Sequence, residues 1–96
     1  ACGGELMTGT SRRVERIARL IAQPSVSSAA PGWDQSNRGC IDALAELLDD
    51  VGFAVEVLPL PEAPHKANLI ATLGKGEGGL VVAGHTDTVP YDAERW

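Results

Sequence analysis

Val14, Ile17, Ala18 and Ile21 recur at i, i+3, i+4 and i+7, which is one face of an amphipathic helix from about Ser11 to Ala22. Thr10 or Ser11 can cap its start. Glu15 and Arg19 form a favourable i,i+4 pair, and Pro24 disfavours helix at Gln23 and ends the element. Pro24 to Trp33 has no periodicity and reads as a loop. A second stripe, Ile41, Leu44, Leu47, Leu48 and Val51, predicts another helix. Asp34 or Ser36 can cap it, and Gly52 can close it in a left-handed conformation. Phe53, Val55 and Val57 then alternate with Ala54 and Glu56, the pattern of a half-exposed strand. Pro59, Pro61 and Pro64 rule out a central strand beyond Leu58. Asn68 to Leu73 is a second strand. Leu80-Val81-Val82-Ala83, an apolar run bounded by Gly79 and Gly84, reads as a third, buried on both faces.

The stretch Gly74-Lys75-Gly76-Glu77-Gly78-Gly79 joins the last two strands. It lacks a Lys-Ser/Thr ending, which excludes a phosphate-binding loop, so it reads as a flexible turn. Six residues are too few for a helical crossover, so the flanking strands run in opposite directions. The order is α-α-β-β-β, an α/β fold with helices over a mixed sheet. Residues 1–10, mostly small and glycine-rich, read as a flexible tail, and 11–96 as part of one domain.

Charge narrows the partners. The 96 residues carry 13 acids against 8 Lys and Arg, a net charge of −5. That argues against nucleic acid, whose phosphates are bound by Lys and Arg. Arg12, Arg13, Arg16 and Arg19 read as a solvated helix face. Cys2 and Cys40 have neither disulfide-framework nor metal-type spacing, which fits a reducing, cytoplasmic setting. Cys40 falls on the apolar side of the second helix, where a free thiol behaves as a small hydrophobe. No apolar run approaches a membrane span, and Ala1 to Thr10 lacks a signal peptide's apolar centre.

The candidate chemistry sits at the end of the third strand, in His85-Thr86-Asp87. In extended backbone, residues i and i+2 share a side. A neutral imidazole binds a metal through one nitrogen while a carboxylate commonly holds the other N–H. His85 and Asp87 suit that pair, or two ligands of one site; the bland alternative is a purely structural pair. Other polar groups carry less. Asp49 and Asp50 read as a solvated helix end and His65 as a surface residue. Ser25, Ser27 and Ser28 lack the G-x-S-x-G elbow of a nucleophile.

Gly84-His85-Thr86-Asp87-Thr88-Val89-Pro90-Tyr91, ending in Arg95-Trp96, resembles the first metal-ligand segment of the M20 family of metal-dependent amidohydrolases and peptidases. Asp34-Gln35-Ser36-Asn37 and the stretch from Val51-Gly52-Phe53 to Val57 extend the likeness, which runs from about Val14 to Trp96. The resemblance implies the N-terminal part of an α/β/α zinc-hydrolase catalytic domain with two metal ions, zinc or, alternatively, cobalt. It makes His85 the first metal-binding histidine and Asp87 the catalytic aspartate that orients it. The bridging acid, general base and remaining ligands match nothing in this chain. The implied substrate is a small N-acyl amino acid. The likeness is strongest to members that deacetylate N2-acetyl-L-ornithine in arginine biosynthesis, with desuccinylase and dipeptidase members as alternatives and a non-catalytic α/β module outside the family. The full-length family implies a homodimer. A single histidine with one orienting acid is too few ligands for the fragment to act alone. The resemblance also places a later strand between the second and third, so open edges and self-association are expected of the fragment.

Overall fold

The computed structural model describes residues 9–95. Helix α1 spans Gly9–Ile21 and α2 Arg38–Asp50; β1 is Ala54–Leu60 and β2 Ala63–Thr72, with a 3-10 turn at Ala93–Arg95. The expected tail overlaps α1 at Gly9 and Thr10, and its other eight residues lie outside the described region, as do Cys2 and Trp96. No described helix is long and apolar enough to cross a membrane.

The second apolar stripe forms the centre of packing. Ile41 is buried on α2 together with Cys40 and Ala43, while Leu44, Leu47 and Leu48 are half-buried and Val51 is exposed. This face lies over the β1–β2 hairpin, which adds buried Ala67. Gly52, at φ +99°, ends α2 as expected. Its N–H donates to Asp49 O (3.0 Å) and the Phe53 N–H to Leu48 O (3.0 Å), the paired bonds of a Schellman motif.

The start of α2 differs from expectation. Neither Asp34 nor Ser36 is the cap residue; Asn37 is, and its side chain makes no capping bond. Asp34 and Asn37 are drawn into longer-range contacts instead. Asn37 Nδ2 donates to Ala67 O (2.9 Å), and the Ala67 N–H donates to Asn37 Oδ1 (2.8 Å). The carboxamide thus stands in for a neighbouring strand at one position of β2. Ser36 Oγ donates to His65 O and accepts the Arg38 N–H (3.1 Å). At Asn37 the local cap gives way to a more distant backbone group, whereas the Ser36 hydroxyl serves both the local Arg38 N–H and the distant His65 carbonyl.

The sheet is a two-stranded antiparallel hairpin, from Ala54 opposite Thr72 to Pro59 opposite Ala67, with a register shift between Pro59 and Leu60. The mixed three-stranded sheet is therefore corrected. β1 runs on through Pro59, and β2 takes in Pro64, because both strands are edges and a missing N–H is tolerated there and at irregular register. Leu80, Val81 and Val82 form no strand and are 89, 91 and 86% exposed. An apolar run becomes a strand only where a neighbour meets its backbone and layers cover its faces; none of the described residues does so.

The α1 stripe is also uncovered, with Val14, Ile17 and Ile21 exposed. Arg19 does not pair with Glu15 but reaches Glu46 on α2 (2.7 Å). The accessible surface is 7674 Å², against about 5,200 Å² for a compact protein of this mass. Much apolar area therefore faces solvent.

Candidate functional site

After α1, the chain turns at Pro24 and runs through Ser25 and Val26, both buried. Val26 forms an isolated parallel bridge with Thr88. The Thr88 N–H donates to Ser25 O and the Ser27 N–H to Thr88 O, each at 3.0 Å. This bridge docks the end of the chain against the body and holds the segment that carries the candidate residues.

His85 and Asp87 face one another. Nδ1 of His85 lies 2.8 Å from Asp87 Oδ1 and 3.3 Å from the Asp87 carbonyl oxygen. The side chains are 81 and 58% exposed, so the ring stands in solvent rather than in the core. With Asp87 ionised, the neutral imidazole keeps its proton on Nδ1, and Nε2 presents a lone pair. No group of three His, Cys, Asp or Glu side chains among the described residues could hold a metal ion. The pair amounts to one oriented donor.

Beside it runs a groove of about 580 Å³. Leu20 and Ile21 of α1 and Cys40 and Leu44 of α2 supply apolar wall, and His85, Thr86, Thr88 and Tyr91 line it from the C-terminal segment. Burial raises the Cys40 thiol's pKa, which keeps it protonated. Spacing alone assigns no role to Thr86 or Tyr91. Their place in the groove follows from the Val26–Thr88 bridge, a contact between segments 62 residues apart in sequence for which local periodicity carries no signal.

A second polar cluster braces the same loop from the opposite direction. Asp34 Oδ1 accepts the Ser28 N–H (3.0 Å) and the Lys66 ammonium (3.1 Å), and Oδ2 lies 3.4 Å from His65 Nε2. The Ser28 bond first, and then Lys66, holds the Asp34 carboxyl below its ordinary value of 3.8. A carboxyl with a depressed folded pKa contributes stability that is complete above the unfolded value and is lost as pH falls through the folded one. Acid titration of the chain is therefore expected to show a loss of stability beginning near pH 4 and continuing below it. Asp34→Asn should flatten that limb, as read by circular dichroism against pH; an unchanged acid limb would show that the cluster does not couple to folding.

No protein-family model matches the chain. It is 53% identical over 83 residues to the acetylornithine deacetylase of Pasteurella multocida (strain Pm70), covering 86% of this chain and 22% of that protein. The acetylornithine deacetylase of Proteus mirabilis (strain HI4320) is 51% identical over 83 residues, again 86% of this chain and 21% of the relative. That of Klebsiella pneumoniae (strain 342) is 52% identical over 83 residues, with 86 and 22% covered. The chain is thus similar over most of its length to acetylornithine deacetylases, and it spans about a fifth of the length of these relatives.

Proposed function

We propose that this chain is the N-terminal part of a metal-dependent amide hydrolase that removes the acetyl group of N2-acetyl-L-ornithine. The observation that carries the proposal is the exposed His85 ring, held at Nδ1 by Asp87 at 2.8 Å, in a chain about half identical to acetylornithine deacetylases. The donor set fits one corner of a zinc site: imidazole is a common zinc ligand, and a carboxylate on its far nitrogen raises its basicity. When bound, zinc or cobalt supplies Lewis-acid polarisation of the amide carbonyl and lowers the pKa of water.

The chain's own residues have narrower tasks. His85 offers Nε2 to one ion. Asp87 retains the Nδ1 proton and fixes the ring's direction. The remaining ligands and a general base are assigned to polypeptide beyond this chain, so the fragment alone is expected to be inactive. A second metal ion, a homodimeric full-length protein and a cytoplasmic setting belong to the same proposal; the buried, free Cys40 thiol is compatible with reducing surroundings.

The test is release of acetate from N2-acetyl-L-ornithine by the full-length polypeptide loaded with zinc or cobalt, beside release of succinate from succinyl-diaminopimelate. Faster turnover of the acetylated substrate is expected. Preference for the succinylated one would reassign the protein to a related activity, and turnover of neither would reject the hydrolase reading. The 96-residue chain should turn over neither.

A further inference from the structure

We propose that Gln35 is a positioning residue for the His85–Asp87 pair, acting through Val26 and Thr88; the proposal rests on the metal-site reading above. Gln35 lies in the loop between the two helices and belongs to no candidate site by spacing. It nevertheless meets both main-chain groups of Val26. The Val26 N–H donates to Gln35 Oε1 (2.9 Å), and the Gln35 N–H donates to Val26 O (2.8 Å).

Successive residues of an extended chain direct their polar groups to alternate edges. With the N–H and C=O of Val26 fixed toward Gln35, Ser25 O and the Ser27 N–H are turned the other way. These are the two groups that hold Thr88, at 3.0 Å each. Gln35 and Thr88 therefore grip opposite edges of one short stretch, and Thr88 directly follows Asp87. Val26 is only 4% exposed, so water is poorly placed to replace a lost Gln35 side chain. The Val26 N–H shares its peptide plane with Ser25 O, so without Oε1 that plane is held only by the Thr88 N–H and the Thr88 bridge loosens with it, while Val26 O keeps the Gln35 N–H and the Lys66 ammonium at 3.5 Å.

The experiment uses the full-length polypeptide. Gln35→Leu is expected to speed hydrogen exchange at the Ser27 and Thr88 amides about tenfold, the equivalent of one lost hydrogen bond. Exchange at Leu47 and Leu48 in α2 should stay unchanged. The same variant should lower zinc content after dialysis, and Gln35→Glu, which keeps an acceptor oxygen, should restore both readings. Unchanged exchange at Thr88, an equal rise throughout α2, zinc retention equal to the parent's, or failure of the glutamate to rescue would each overturn the proposal. His85→Ala separates it from the reading on which it rests. If that variant keeps its zinc, the metal assignment fails, whereas the exchange effect of Gln35→Leu does not depend on metal.

Discussion

His85→Ala in the full-length polypeptide is expected to abolish one metal site, with a loss of activity exceeding that of any change at Asp87. The ordering follows from position. On the proposed reading Nε2 of His85 is the donor, while Asp87 lies against Nδ1 at 2.8 Å and acts through it. Removing such an outer partner typically lowers metal affinity or activity by about 10–100-fold, and Asp87→Ala should fall in that range. Asp87→Asn should lose less than alanine, because its amide oxygen can still accept the Nδ1 proton and hold the ring's direction. Metal content and kcat/KM, measured on the three variants together, check the order. Full metal content in His85→Ala would mean that the pair is structural.

The largest expected effect on stability lies at Asn37, whose side chain reaches no functional group. Its carboxamide satisfies both main-chain groups of Ala67, a residue only 2% exposed. Asn37→Ala leaves a buried donor and a buried acceptor unpaired, at roughly 1–3 kcal/mol for each group that water cannot reach. A combined loss of about 2–6 kcal/mol is expected on that basis, a large share of a small domain's stability. Asn37→Asp keeps the acceptor for the Ala67 N–H and loses the donor to its carbonyl, so it should recover about half of the deficit. Urea denaturation of the 96-residue chain measures both. A loss below about 0.5 kcal/mol would mean that solvent enters and takes over both bonds.

These two residues differ in how far local pattern reveals them. The His-x-Asp spacing calls for a shared side, and the two rings of contact, main-chain and side-chain, form over only two residues. The α2 stripe was equally readable, since helical period depends on neighbours three and four positions away; Ile41 is buried and Gly52 takes its left-handed φ. The caps that local pattern offers are Asp34 and Ser36, whereas the cap position falls on Asn37, whose amide is claimed by Ala67, 30 residues downstream. Arg19 likewise leaves Glu15 for Glu46, on another helix. Where an element is intact but uncovered, pattern identifies the face and says nothing of what meets it. That is the case for Val14, Ile17 and Ile21 on α1; at Leu80 to Val82 the apolar run does not form the element at all. The prolines exclude a central strand, and none forms beyond Leu58; β1 continues through Pro59 only as an edge strand of a two-stranded hairpin.

The six residues from Gly74 to Gly79 have a consequence for evolution and engineering. Four of them are glycines with positive φ, and they lead, through the exposed run that follows, from the hairpin to the segment that docks on Val26. They act as a leash: they set how often the histidine segment meets its berth, not how it is seated once there. Closure entropy grows only logarithmically with length, so even doubling the whole connection from Thr72 to Thr88 should weaken docking by only about 0.6 kcal/mol. Insertions at this point should therefore be among the mildest changes the chain can accept, even though they fall within a dozen residues of His85.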